Sequence, residues 1–343
     1  MRVLWSRRCG EHAIRRRNLP AITRTLVLCF AACSASCDRG ASPGPSKERT
    51  IAVIPKATTY EFWKSVRAGA EREGRELGVK VLWKGPVTEG DREAQINLLE
   101  DFITIRVDAI CIAPVDSRSL VGPIRSAAQA GIPTVVFDSG LDDLSSAVSF
   151  VATDNRLGGA IAARHLGAEL GGMGGVIVLR YTPGSQSSAD REDGFLEALR
   201  KELPQVTVLS DGEYAGASPE SALDKAQQLL SRLGDKVAGV FTPCQHVSSG
   251  MLRALEERGL AGKVKFVGFD ASPELVQALR AGKMHGIVLQ DPVAMGRIAV
   301  RTAVEHLDGR PAPPRVSTGE HLATRSNLDD PAIKKLLEPE VWE

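Results

Sequence analysis

The sequence predicts an α/β protein made of two Rossmann-like parallel-sheet domains in succession. Three observations lead there. Short, nearly unbroken apolar runs rich in Val and Ile alternate with amphipathic stretches from Thr50 onward, and strands of that kind belong to a parallel sheet covered on both faces. The alternation starts afresh near Asp154, without any sequence repeat. A length of 343 residues suits two domains of ordinary size.

In the first series, TIAVIP (50–55) reads as a strand and 61–78 as an amphipathic helix stopped by Gly78. VKVLW (79–83) is the next strand. Residues 91–105 make a helix with Ile96, Leu99, Phe102 and Ile103 on one face. A strand in DAICIAP, a helix in SLVGPIRSAAQAG and a strand in PTVVFDSG follow. The second series reads helix 155–170, strand 174–181, helix 191–201, strand 206–210, helix 219–232 and strand 237–241. It continues with helix 248–258, strand 263–269, helix 273–281 and strand 286–290, then helix 292–307 and the tail RVSTGEHLATRSNL.

Charge is unevenly placed. The first 36 residues carry seven Arg against one acid, Glu11, while the rest holds 36 basic and 41 acidic residues. A mildly acidic body has no electrostatic footprint for nucleic acid. The basic stretch ends at Arg24 and is followed by the apolar run LVLCFAA (26–32) and then small residues, the pattern of a secretory signal. That run is too short to span a bilayer as a helix. Cys33 and Cys37 each follow small residues, in FAAC and SASC. This resembles a bacterial lipoprotein signal, in which Cys33, or alternatively Cys37, becomes the lipidated first residue. A Gly/Pro/Ser-rich flexible tether (38–49) comes next. Beyond it only Cys111 and Cys244 remain, which is no disulfide framework. Cys111 lies in a buried-strand pattern and reads as a core thiol.

The strand ends decide the chemistry, because ligands of open α/β sheets sit beyond the carboxyl ends of the strands. IPKATTYEF, after the first strand, holds neither a dinucleotide fingerprint nor a Walker motif, and no G-x-S-x-G elbow occurs. GGMGG (171–175) precedes a strand and reads as a helix stop. Cys244 and His246, two apart in TPCQH, could be a nucleophile and its base, or half of a metal site. A zinc site takes three or four ligands, and His165, His285, His306 and His321 stand alone. No cofactor is called for.

What the strand ends do offer is Tyr60, Phe62 and Trp63 in one loop of a chain only 5% aromatic, with Asp138, Asp270 and Gln290 at other strand ends. Aromatic faces against C–H-rich rings, with carboxylate and amide groups for hydroxyls, suit a carbohydrate. The plainer alternatives are helix caps for the Asp residues and core packing for Phe62.

The segments TIAVIPKATTYEFWKSVRAGAEREGRELG, DAICIAPVDSRSL, GIPTVVFDSG, FVATDNRLGGAIAARHL, REDGFLEAL, KFVGFDASPELVQALRAGK and GIVLQDPVAMGRIAV occur in this order. Together they resemble the ribose-binding-protein-like periplasmic sugar-binding proteins of ABC importers, over roughly Thr50–Leu322. The resemblance implies a type I periplasmic binding protein, in which two lobes joined by a three-strand hinge close on a sugar or polyol. The crossovers would fall near Thr153/Asp154, Gln290/Asp291 and Thr318/Gly319. The lobes would be 50–153 plus 291–318 and 154–290 plus 319–343, behind a signal segment (1–37) and the tether. It also implies a monomer outside the cytoplasm, which the lipoprotein-type signal would hold to a membrane only by lipid. That monomer would serve an ABC permease, or present its ligand to a membrane receptor, and would catalyse nothing. A secreted Cys-dependent enzyme is the competing class.

Matched position by position, Phe62 and Trp63 fall on the paired aromatics that sandwich the sugar, and Tyr60 stands where the family commonly has Asn. Asp138 and Asp270 fall on the hydroxyl-binding acids of the two lobes, Gln290 on the hinge amide, and Tyr214 on the aromatic of the second lobe. Ser139 and Ala189 stand where relatives have Arg, Ala113 and Cys244 where they have Asn. Those departures remove hydrogen-bond donors and point away from ribose, towards a less hydroxylated or larger ligand.

Overall fold

The structure, a computed structural model, describes residues 48–339. The expected signal segment, both lipidation candidates and all but the end of the tether lie outside the described residues. Two six-stranded sheets organise the rest. The first contains β1 (Thr50–Ile54), β2 (Lys80–Trp83), β3 (Ala109–Ile112), β4 (Thr134–Phe137), β5 (Ser149–Ala152) and β11 (Arg315–Ser317). Its spatial order is β11-β5-β4-β3-β1-β2, every pair parallel. The second contains β6 (Gly174–Val178), β7 (Val206–Ser210), β8 (Val237–Phe241), β9 (Lys265–Phe269), β10 (Gly286–Leu289) and β12 (His321–Ala323). Its order is β12-β10-β9-β8-β6-β7, with β12 alone antiparallel.

Each sheet is buried on both faces, which is why its strands read as apolar runs. On the first sheet, α1 (Glu61–Leu77) and α9 (Pro292–Leu307) cover one face, and α2 (Arg92–Thr104) and α3 (Val121–Gln129) the other. On the second, α4 (Asn155–Glu169) and α5 (Gln186–Glu202) cover one face. The other is covered by α6 (Pro219–Leu233), α7 (Gln245–Glu257), α8 (Pro273–Arg280) and α10 (Pro331–Leu337). Helices α4 and α5 touch backbone to backbone: a Cβ on Gly159 would strike the Arg191 carbonyl, and one on Gly194 the Arg156 carbonyl.

The chain passes between the sheets three times, after β5, after β10 and between β11 and β12. Asp154 and Asp291 cap the helices that follow the first two passages, accepting from the N–H groups of Leu157 and Ala294.

Most expected elements form within a residue or two. Helix α5 starts at Gln186 rather than Arg191, and α7 at Gln245 rather than Ser248. Both added first turns are polar because they face the space between the sheets. Strands β5, β11 and β12 go beyond the expected set. The last two have three residues each, too few to carry a period.

Candidate functional site

Each sheet changes winding direction once, between β1 and β3 in the first and between β6 and β8 in the second, and ligands gather outside the strand ends at such points. The loops there line a cavity between the lobes, about 370 Å³ of space that is partly open to solvent. Seven of the nine expected ligand residues line it: Tyr60, Phe62, Trp63, Asp138, Cys244, Asp270 and Gln290.

Asp138 and Asp270 end β4 and β9 in the same unusual way. Both have positive φ, 60° and 65°, a left-handed conformation that is uncommon outside Gly and marks functional strand ends. Each N–H donates 2.9 Å to the neighbouring strand, Asp138 to the Val151 carbonyl and Asp270 to that of Val288. This turn aims both carboxylates into the cleft instead of along the sheet.

The loop after β1 supplies Lys56 and Tyr60, and the first turn of α1 supplies Phe62 and Trp63. Lys56, 4% exposed, lies 3.2 Å from the Asp138 carboxylate and donates to the Ser185 and Ser187 hydroxyls of the other lobe, at 3.2 and 3.0 Å. Buried Gln95 fixes this floor: its amide donates to the Pro55 and Ala113 carbonyls and accepts from the Val115 N–H. Tyr60 sits at the start of α1 without capping it, and its hydroxyl donates 3.1 Å across the cleft to the Ala217 carbonyl. The Tyr60 ring stacks on His246, with centroids 5.1 Å apart. Phe62 and Trp63 meet edge to face at 4.9 Å, and Trp63 packs on Phe137 in the core.

On the second lobe, α5 and α7 point their first turns at the cavity. Arg191, 2% exposed, donates from Nε to Asn155 (2.8 Å) and from Nη1 to the Pro243 carbonyl (2.8 Å) and Asp270 (3.5 Å). Its guanidinium lies 4.0 Å over the Phe269 ring. Gln290 donates to Asp270 at 2.7 Å. Burial raises the Asp270 carboxyl; Arg191 and Gln290 oppose this, while the carboxylates of Asp138 and Glu89 add to it. Three buried atoms here have no hydrogen-bond partner within the protein: Arg191 Nη2, Gln290 Oε1 and Gln245 Oε1. Such atoms carry a desolvation cost until something pairs with them.

Glu89, from the loop after β2, completes the wall. Trp63 Nε1 donates to one carboxylate oxygen at 2.7 Å and the Tyr181 hydroxyl to the other at 2.8 Å. Its enclosure favours the neutral acid, but nearby His246 and Lys56 and the two hydrogen bonds outweigh this and hold it below the usual carboxylate range.

Cys244 and His246 are close, with Sγ 3.5 Å from Nε2. The environment does not make a thiolate: burial first, then the carboxylates of Glu89 and Asp270, push the thiol well above its ordinary value. Burial likewise lowers His246, against the pull of Glu89. Among the described residues no group of three or more His, Cys, Asp or Glu is arranged to hold a metal ion.

Two expectations are corrected. Tyr214 is 43% exposed and lies outside the cavity, because its loop follows the edge strand β7; Tyr181, after β6, stands behind the wall, edge-on to His246 and hydrogen-bonded to Glu89. The donor expected to be lost with Ala189 is supplied from another position, by Arg191, whose Nη2 is open, whereas Lys56 spends its donors on Asp138, Ser185 and Ser187. Ser139 itself stands behind the wall and accepts from the Ser187 N–H at 3.2 Å. Sequence reasoning also missed Glu89, Ser187, Ser188 and Gln245 as cavity residues, and weighed His246 only as a base or metal ligand beside Cys244. Arg191 left one signal: it is in phase, four residues on, with Phe195 on the buried face of α5.

The sequence profile of a family described as periplasmic binding protein domain matches residues 51–311. The D-allose-binding periplasmic protein of Escherichia coli is 31% identical over 261 residues, 74% of this chain and 83% of its own length. Among solved structures, a carbohydrate transporter solute binding protein from Agrobacterium radiobacter, in complex with D-arabinose, superposes with TM-score 0.82 at 35% identity, covering 85% of this chain and 100% of its own. One from Agrobacterium vitis, an ABC transporter solute binding protein bound with α-D-tagatopyranose, gives TM-score 0.80 at 31% identity with the same coverage. With the profile spanning most of the sequence, and a two-sheet fold and inter-lobe cavity to match, the chain belongs to the periplasmic binding protein family, in its ribose-binding-protein-like branch.

Proposed function

We propose that this protein captures a sugar or sugar-like polyol outside the cytoplasm and delivers it to the permease of an ABC transporter. The observation that carries this reading is the cavity between the lobes. There, two Asp residues in the same rare conformation face each other among aromatic rings, and buried amide and guanidinium atoms lack partners. Ligand hydroxyls would supply those partners. Relatives named for D-allose, or bound to D-arabinose and D-tagatose, support the same ligand class.

The lobes are taken as 50–153 plus 291–318 and 154–290 plus 319–343. The three passages between the sheets serve as the hinge, and closure follows from better ligand contacts in the closed form. Tyr60, Phe62, Trp63, Asp138, Cys244, Asp270 and Gln290 are the proposed ligand residues, joined by Arg191 and Gln245. The protein acts as a monomer held to the membrane by lipid at Cys33, or alternatively Cys37. No helix of the described residues is long and apolar enough to cross a membrane. It binds without chemistry on its ligand, in keeping with the protonated Cys244 thiol.

A thermal-shift screen of pentoses, hexoses and polyols tests the reading. A ligand at 100 times its dissociation constant adds about 2.7 kcal/mol, a rise of several degrees. No response to any of them would reject the sugar assignment. Radiolabelled lipid on Cys33, lost in Cys33→Ser, tests the anchor.

A further inference from the structure

The cavity wall contains two cations, Lys56 and Arg191. Taken alone, they invite a sugar acid or a sugar phosphate. Their surroundings argue otherwise. The Lys56 ammonium has three N–H donors, and the structure gives it three acceptors: Asp138, Ser185 and Ser187. Arg191 faces the Asp270 carboxylate and spends Nε and Nη1 on Asn155 and the Pro243 carbonyl. Each cation therefore already has a carboxylate of its own.

Glu89 is the third carboxylate in the wall, and it has none. Among the described residues it takes part in no ion pair, and its protein donors are two neutral groups, the Trp63 indole N–H and the Tyr181 hydroxyl. Those two bonds help to keep it ionised and leave lone pairs free, since a carboxylate accepts about four hydrogen bonds. Around it stand the rings of Tyr60, Trp63, Tyr181 and His246, so water and salt screen it weakly once the lobes close. Nearby His246 and Lys56 favour its ionised form, but neither forms an ion pair with it among the described residues.

From this imbalance we propose that Glu89 is a specificity-determining residue that makes the cleft select neutral sugars and reject their anionic counterparts. The inference rests on the sugar-binding reading and adds the charge of the ligand to it. An acidic ligand would bring a second unpaired negative charge into a closed space beside Glu89. A neutral one can donate its hydroxyls to the free lone pairs of the same carboxylate. Glu89 also orients Trp63, the ring against which a sugar would lie, and touches Tyr181 in the other lobe, so it senses the closed form directly.

The test uses matched pairs that share the pyranose ring and differ in a carboxylate at C6: D-allose with D-alluronate, and D-galactose with D-galacturonate, measured by calorimetry at pH 7.5 and low salt. The wild type should bind a neutral member at least about 100-fold more tightly than its uronate, the loss expected where a buried like charge goes uncompensated. Glu89→Gln removes the charge at constant shape and should shrink that ratio at least about tenfold, whatever it does to the neutral affinity. Tyr181→Phe keeps the charge and should weaken binding while leaving the ratio near its wild-type value; a merely structural role for Glu89 would move neither ratio. The wild-type comparison stands even if Glu89→Gln folds poorly. A uronate that binds within tenfold of its sugar, or in preference to it, overturns the inference and leaves the ligand class intact. So does a Glu89→Gln ratio equal to that of the wild type. Failure of both members of every pair, in a protein that also answers no sugar in the thermal screen, rejects the sugar reading and this inference with it.

Discussion

The two lobes build the same turn and put it to different uses. Asp138 and Asp270 both end a buried strand with φ near 60° and both hydrogen-bond the adjoining strand. On the first lobe the consequences stay inside the protein, because Lys56 neutralises Asp138 and its remaining N–H groups bind two Ser hydroxyls of α5. On the second lobe they are left open: beside Asp270, Arg191 Nη2, Gln290 Oε1 and Gln245 Oε1 remain unpaired. The first lobe's acid thus clamps the closed form, and the second lobe's acid frames the polar contacts of a ligand.

Removing the second lobe's cation should break this contrast most visibly. Arg191→Ala takes away the open donor and leaves Asp270 buried with only Gln290. We expect ligand affinity to fall by about three orders of magnitude, or roughly 4 kcal/mol, measured by calorimetry. On the first lobe, Lys56→Met should instead cost about 3 kcal/mol of stability by stranding Asp138. The double variant Lys56→Met/Asp138→Asn should recover at least half of that, and a cycle of urea midpoints checks it. Additive losses would mean that the pair is not the clamp described.

The second lobe should also be the pH-sensitive one. Burial holds the Glu192 carboxyl up at about 7, against the Tyr181 N–H and Arg180 that favour its ionised form. A carboxyl raised on folding contributes stability that is full below its ordinary range and lost as pH rises through about 7. Wild-type urea midpoints should therefore decline between pH 5 and 8, by on the order of 2 kcal/mol, while Glu192→Gln stays flat over that window. The smallest effect is expected at Cys244, whose protonated thiol lies at the cavity edge. Cys244→Ser should change affinity by less than about fivefold, whereas a catalytic thiol would lose its activity outright.

Much of the architecture was legible in the sequence because it rests on burial. Strands β7 and β8 and helix α9 form over the expected residues, since a covered strand must be apolar and a helix on a sheet must be amphipathic. Asp138, Asp270 and the Tyr60–Trp63 loop were legible for a related reason: polar or aromatic groups directly after a buried strand have few structural uses. Other features left no pattern to read. Strands β11 and β12 are shorter than any period. Lys56 and Arg191 drew no reading from the sequence, because their pairing with Asp138 and Asp270 joins residues far apart in the chain. Preferring Tyr181 to Tyr214 required the strand order, which puts β7 at the edge and β6 inside the sheet.

The central claim is that a sugar closes the cleft by satisfying the open polar atoms of the second lobe. A crystal structure of the protein with the sugar that scores highest in the thermal screen tests this most directly. The account predicts ligand oxygens about 2.7–3.2 Å from Arg191 Nη2 and Gln290 Oε1, with the Lys56–Asp138 pair intact behind them. A sugar seated elsewhere, or those two atoms still unpaired in the complex, would contradict it.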